Sequence, residues 1–441
     1  MNDFYVATAI FLTAYAVIIT EKIHKTVVAL AGAALMLALR IVDQHDAFYS
    51  EETGIDYNVI FLLVGMMLII NIMKETGIFQ WVAIKSAKLA KGEPFRLLAI
   101  LSVVTAVLSA FLDNVTTVLL IAPVTLLICD ALELDPFPFL LSEILSSNIG
   151  GTATLIGDPP NIMIGSKAEL TFMNFIVHLA PAVIVIMIVY LFTLRMVFAK
   201  KLSVPELLKA RVMSMDESAA ITDRPLMRKS LWVMGFTILG FILHDQLHLM
   251  PATVALTGAS ALLLLSRMEP HKILESVEWP TIFFFIGLFI IIGAVQKVGL
   301  IKILSQEVLG ITKGNLFATS MLVMWFSAFA SAIVDNIPYV ATMNPLVLEM
   351  SKEIWPNLTG HDLLHHVELL PVWWSLALGA CLGGNGTLIG ASANVIVAGI
   401  AEKAGHKITF ARFLGYGLPF MVQTVLIAMV YVWLRYYVIG F

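Results

Sequence analysis

Asp113-Asn114 stands mid-way through a long apolar stretch, and Asp335-Asn336 does the same 222 residues later. That offset also carries Gly65 to Gly287, Gly77 to Gly299 and Pro123 to Pro345. Further on, Gly150-Gly151-Thr152-Ala153-Thr154-Leu155-Ile156-Gly157 returns as Gly383-Gly384-Asn385-Gly386-Thr387-Leu388-Ile389-Gly390, and Asn161 as Asn394, at an offset of 233. The loop between the two motifs is therefore longer in the second copy. Whatever this chain folds into, it folds twice, with a carboxylate and helix breakers inside each apolar copy.

Such a chain is no soluble globule. Of its residues 59% are hydrophobic and 13% charged, against roughly a quarter charged in soluble domains. It reads as an all-α polytopic membrane protein. Duplication with interrupted helices is the organisation of a secondary transporter rather than an enzyme. No cleavable leader is expected, because the first apolar run, from Phe4 to Thr20, lacks a basic segment before it. Cys129 and Cys381 both lie in apolar segments and imply no disulfide framework. The net charge of −4 identifies no partner, and no basic patch with interleaved aromatics argues for nucleic acid.

Apolar runs mark spans at 4–20, 26–40, 57–73, 175–198, 230–244, 251–266, 280–296 and 413–434. Two further spans, 137–165 and 372–402, are interrupted by the glycine-rich motif. The runs 97–131 and 315–350 are each divided by Asp-Asn. They are short for two full crossings of about 20 residues each, so they read as re-entrant hairpins with Asp113-Asn114 and Asp335-Asn336 at the tips. Non-helical backbone at membrane depth is tolerated where it lines a polar cavity or is buried in protein.

Counting basic residues orients the chain. With the N-terminus outside, segments 21–26, 74–96, 195–229, 267–279 and 403–412 are cytoplasmic and hold 20 of the 27 Lys and Arg, a strong positive-inside bias. Each half then has five crossings, an odd number, so the copies are inverted relative to each other and both termini lie outside. The expected organisation is a first inverted repeat over 1–199, a cytoplasmic linker over 200–229 and a second repeat over 230–441. Segment 75–92, with Lys85, Lys88 and Lys91 among Ile78, Phe79, Trp81, Val82 and Ile84, reads either as an amphipathic helix on the inner membrane surface or as an ordinary loop helix.

The chemistry concentrates in the motifs. A carboxylate at mid-bilayer costs at least ~2.5–3.5 kcal/mol, so Asp113 and Asp335 mark function. With Asn114, Thr116, Thr117 and Asn336 they offer hard oxygen ligands for a cation, and a bound Na⁺ at Asp113, Asn114, Asp335 and Asn336 is the one cofactor-like species expected. An Asp at a tip also caps the helix that follows, and that alternative stays open. In the first broken helix, Asn148, Gly150, Gly151, Thr152, Thr154, Asp158 and Asn161 surround paired glycines and Pro159-Pro160, which forbid continuous helix. In the second, Gly383, Gly384, Asn385, Thr387, Ser392 and Asn394 do so without prolines. Freed amides suit an anion and freed carbonyls a cation. Glycines that merely allow close helix packing are the alternative.

The copies differ where Asp158 faces Ala391 and Glu143 faces Leu376. If a coupling proton binds at one place only, Asp158 is the first candidate and Glu143 the second; Glu143 could instead sit hydrated near the cytoplasmic end of its span. No Lys or Arg lies inside the motif segments, which weakens an organic-anion cargo. Cys381 reads as a small buried hydrophobe. His361, His365 and His366 read as part of a solvated external loop rather than a metal cluster.

Phe111-Leu112-Asp113-Asn114-Val115-Thr116-Thr117, Ile156-Gly157-Asp158-Pro159-Pro160-Asn161 and Thr387-Leu388-Ile389-Gly390-Ala391-Ser392-Ala393-Asn394-Val395 resemble signatures of the ion transporter superfamily. The branch holds arsenite permeases (ArsB), sodium–proton antiporters of the NhaD type and the melanosomal P protein, and has a citrate-transporter-like domain. The resemblance covers essentially the whole chain. It implies a homodimer with a scaffold domain and a mobile transport domain working by elevator-type alternating access, in a prokaryotic inner or plasma membrane. It places substrate between the two tips and the two broken helices. Dicarboxylate relatives carry Ser-Asn-Thr at the tips; Leu112-Asp113-Asn114 and Val334-Asp335-Asn336 depart from that and favour coupling to Na⁺ or H⁺. An arsenite, antimonite or other anion permease is the alternative, and an anion channel a second one. An intramembrane aspartyl protease would want Gly-x-Gly-Asp, which Leu155-Ile156-Gly157-Asp158 does not supply.

Overall fold

The computed structural model describes residues 2–440. Among them are nine helices long and apolar enough to cross a membrane. The duplication is carried into secondary structure residue by residue. The offset of 222 takes Tyr57–Glu75 onto Trp279–Lys297, Pro94–Phe111 onto Leu316–Ile333, and Asn114–Leu132 onto Asn336–Ile354. Lipid-facing surfaces are apolar: Ile184, Ile188, Phe192 and Met196 lie along one exposed face of Phe172–Phe198, as do Trp232 and Phe236 on Arg224–Leu243. A soluble protein would not leave such stripes uncovered.

The helices form two packing groups, and in each the repeats exchange partners. In the first group, Tyr57–Glu75 packs on Pro251–Ser266 and Trp279–Lys297 on Lys25–Ala38. Gly65 and Gly287 permit this: a Cβ on either would sit 2.8 or 2.7 Å from the backbone carbon of Ala255 or Ala29, closer than any real contact. In the second group, Pro94–Phe111 packs on Phe137–Gly151 and Leu316–Ile333 on Leu370–Gly383. The second arm of each hairpin then crosses to the other repeat, Asn114–Leu132 against Ser392–Lys403 and Asn336–Ile354 against Pro159–Lys167.

The hairpin arms are longer than expected. They run 18 or 19 residues, about 27–29 Å each at 1.5 Å per residue, so length alone does not set them apart from full crossings. What marks the tips is where they stop. Ser109 Oγ donates to the Ser147 carbonyl and Ser331 Oγ to the Ala380 carbonyl, both at 2.7 Å, against the middle of each broken helix. At the far ends of the first hairpin Glu93 pairs with Lys209 and Glu133 with Arg211.

Helix Ile78–Leu89 spends its apolar face on protein. Phe79, Ala83 and Ala87 are buried, the helix packs on both arms of the first hairpin, and Lys85 and Lys88 reach Glu217 of the linker. Those ion pairs hold the Glu217 carboxyl down at about 2, chiefly through Lys88. The duplication supplies a counterpart, Leu300–Thr312, which hydropathy alone does not reveal.

Ion pairs sort into two sets. One joins Lys272 to Glu75, Lys209 to Glu93 and Arg412 to Asp135; the other joins Lys297 to Asp43 and Asp46, and Lys352 to Glu52. Lys25–Asp335 is of a third kind, joining the start of a helix to a hairpin tip.

Candidate functional site

Both tip aspartates begin a helix, and one oxygen of each caps it. Asp113 Oδ1 accepts from the Thr116 amide at 2.8 Å, and Asp335 Oδ1 from the Ile337 amide at 3.2 Å, satisfying donors that a helix start leaves free. The other oxygens differ. Asp113 Oδ2 accepts from Thr116 Oγ1 at 2.6 Å. Asp335 Oδ2 accepts from Lys25 Nζ at 2.6 Å and from Ser392 Oγ at 2.8 Å. Asp335 thus does more than cap.

Each break is held open by its asparagine. Asn161 Nδ2 donates to the carbonyls of Thr152 and Thr154 at 3.1 and 2.9 Å, with Gly151 at 3.4 Å. Asn394 Nδ2 donates to those of Gly384 and Thr387 at 2.7 and 2.8 Å. Buried carbonyls freed by the break need such partners, and the second copy has them although it lacks the prolines. Thr154 and Thr387 hydroxyls donate to the Ala110 and Ala332 carbonyls, tying each break to its tip.

The four residues named for sodium divide into two pairs. Asp113 and Asp335 line one cavity, whereas the amides of Asn114 and Asn336 turn into the protein. Asn114 Nδ2 donates to Asn148 Oδ1 at 3.0 Å, and Asn148 Nδ2 to Asn385 Oδ1 and Asn394 Oδ1 at 2.9 and 3.2 Å. Asn336 Nδ2 lies 3.3 Å from each oxygen of Asp158. Asn148, Asp158, Asn161 and Asn394 are wholly buried. Thr117 Oγ1 and Asn114 Oδ1 are buried without a hydrogen-bond partner. Gly150 and Gly383 serve close approach: a Cβ there would fall 2.1 or 2.6 Å from the carbonyl oxygen of Ala106 or Ala328.

Glu143 is fully buried, not hydrated at a span end. Thr125 donates to one of its oxygens and the other has no partner. His361 stacks on His365 and His366 meets Trp355 at a tilt, with ring centres 4.0 and 4.1 Å apart.

The cavity holds about 480 Å³ and lies between the two packing groups. Ile18, Lys25, Leu63, Met67 and Pro280 line it from one group; Asp113, Pro159, Asp335, Ser392 and Val395 from the other. Its mouth is the exposed loop 21–24. Four carboxylates line it (Glu21, Asp113, Glu278 and Asp335), against the single ammonium of Lys25. Of the candidate residues, only Asp113, Asp335 and Ser392 reach this space.

The sequence reading missed the roles of two residues. Lys25 stands at the edge of an apolar run, and hydropathy assigns it to a cytoplasmic loop. In the structure it opens a helix of only 14 residues, Lys25–Ala38, and so sits deeper. Cys381 is the counterpart of Asn148 at the offset of 233, a signal present in the sequence. Its thiol lies 3.4 Å from Asn161 Oδ1, as Asn148 lies against Asn394.

Comparison with known proteins agrees with this architecture. A family model described as CitMHS, citrate transporter, matches residues 15–379. An uncharacterized transporter of Mycobacterium bovis is 46% identical over 434 residues, covering 98% of this chain and 99% of its own length. The human P protein is 34% identical over 513 residues, covering 99% of this chain and 60% of its own length. The crystal structure of the YdaH transporter of Alcanivorax borkumensis superposes with a TM-score of 0.61 at 11% identity, over 97% of this chain and 98% of that one; the likeness is one of fold.

Proposed function

We propose, from the premise that this chain belongs to the CitMHS citrate transporter family, that it is a secondary transporter coupled to Na⁺ or H⁺, antiporter-like, through its paired aspartates. The observation that carries the reading is the cavity lining, four carboxylates to one ammonium. Such a field concentrates cations and repels free anions. Ser392 of the second broken helix adds a hydroxyl oxygen of the kind hard cations prefer.

Alternating access is proposed to follow from the two packing groups. The cavity lies at their boundary, so a shift of the hairpins and broken helices against the other group would carry Asp113 and Asp335 across the membrane. The excess of Lys and Arg in the segments read as cytoplasmic supports the topology with both termini outside. In that topology the mouth at loop 21–24 faces the cytoplasm.

A second reading, an organic anion, is favoured by the family description and by a volume that exceeds what a bare ion needs. Purified protein in proteoliposomes with an internal pH dye separates the two. Na⁺ or Li⁺ should each evoke a proton signal, whereas K⁺, Cl⁻, arsenite and citrate should not. A response to citrate or arsenite alone would overturn the cation reading. Currents reversing at one ion's Nernst potential, without proton movement, would identify a channel.

A further inference from the structure

We propose that Lys25 is a tethered competitor for the transported cation at Asp335, a role that rests on the cation reading of the site. Its ammonium is held as a small cation would be. A carboxylate oxygen lies at 2.6 Å, a hydroxyl oxygen at 2.8 Å, and the Phe284 ring centre at 4.9 Å. Cation, carboxylate and ring face together form a site that favours positive charge. Lys25 is one-quarter exposed and Asp335 about one-eighth. A bare carboxylate there would be costly, so the site always wants a cation of some kind.

The placement of the pair supplies the rest. Lys25 opens a helix that packs on Asn2–Thr20 and Trp279–Lys297. Asp335 and Ser392 belong to the hairpin and broken helix of the other group. The ion pair therefore bridges two bodies that must move past each other, and it has to break on every stroke. A cargo cation that takes its place satisfies Asp335 and removes the bridge in one event. A ligand shifts a two-state equilibrium only by its preference for one state, and displacement of Lys25 provides that preference.

The repeats point the same way. Among the described residues no ammonium pairs with Asp113; the Thr116 hydroxyl of its own helix donates to it instead. The helix corresponding to Lys25–Ala38 begins at Pro251, with no cation in its first turn. One of two equivalent carboxylates carries a built-in counter-ion, and the other stays open to the cavity. Glu21, Asp113 and Glu278 face the same space and would draw the freed ammonium away from Asp335.

The test uses the full chain with Val395→Cys, a cavity-lining position that is partly exposed. Its maleimide labelling rate, measured with increasing Na⁺ or Li⁺, reads occupancy of the site. Removing a competitor tightens apparent binding, because the competent fraction rises. Lys25→Gln should therefore lower the half-effective Na⁺ concentration by about tenfold, within the ordinary range of site coupling. Lys25→Arg, which keeps the charge, should hold the parent value. A merely structural lysine predicts the opposite: weaker Na⁺ binding in Lys25→Gln. An equal or higher half-effective concentration overturns the proposal. If Lys25→Gln fails to fold, Lys25→Met and the Lys25→Arg titration decide by the same criterion. A parent protein whose labelling ignores both Na⁺ and Li⁺ overturns the competition and the cation reading together. Intact cation transport in liposomes with an unshifted Lys25→Gln titration overturns the competition alone.

Discussion

Asn336 Nδ2 lies 3.3 Å from both carboxylate oxygens of Asp158, so the tip of the second hairpin holds the acid at the break of the first broken helix. Among the described residues Asp158 has no ion pair, and it is wholly buried. An isolated carboxylate in such a place is a proton-binding candidate. Asp158→Asn keeps an acceptor oxygen for Asn336 and mimics the protonated form. The expected outcome is a folded protein that binds cargo weakly and has lost its pH dependence in the liposome assay. A parental pH profile would shift attention to Glu143→Gln.

Asp113→Asn and Asp335→Asn should both depress flux by at least about tenfold, in line with loss of a ligating group. They should differ in stability. The amide introduced by Asp113→Asn can still cap the helix, so the melting temperature of that variant should move little. Asp335→Asn also strands Lys25, and removing one partner of a largely buried pair is the more costly change. Flux and thermal unfolding measured on the same preparations check this. Parental flux in both variants would leave the aspartates as caps alone.

Gly150→Ala and Gly383→Ala should each destabilise the protein by about 1–3 kcal/mol, the usual cost of overpacking. A Cβ at either position meets hairpin backbone, not a movable side chain. Gly235→Ala is the control, because nothing lies within 4 Å of its Cβ position. Melting curves in detergent should show two losses and no loss at Gly235.

Glu217 clamps helix Ile78–Leu89 through Lys85 and Lys88. Its carboxyl is depressed to about 2 in the fold, so the stabilising contribution is full above the unfolded carboxylate range near ~4.3 and fades as pH falls toward 2. Protection factors of residues 78–89, taken against the intrinsic exchange rate at each pH, should fall over that interval, and Glu217→Gln should already show the lower protection at neutral pH.

The proposed orientation is checked by labelling intact cells. Ser218→Cys should react only from the cytoplasm and Thr359→Cys only from outside. Reaction of both from one side would overturn the topology.

Much of this architecture was legible before any coordinates. Two fixed offsets locate the repeats, the tips and the breaks, because the motifs that interrupt a helix are carried by Gly, Pro, Asp and Asn, whose backbone effects are local. Less legible was the role of each glycine. Gly150 and Gly383 allow close packing, and only the neighbouring backbone shows that.

The direction in which each tip residue points was decided by the tertiary structure. Asp113 and Asn114 are adjacent in sequence, but neighbours at a helix start project about 100° apart, one toward the cavity and one toward the broken helix. A list of polar residues cannot separate them. Lys25 and Asp335 are 310 residues apart. Hydropathy reports how deep an apolar run is, not what a distant segment of chain brings beside its first residue. What the sequence determined by itself was the inverted, twice-broken membrane fold, because periodicity and helix breakers act over a few residues. Which carboxylate carries its own counter-ion, and which asparagines are spent inside the protein, depended on long-range packing that places one repeat against the other.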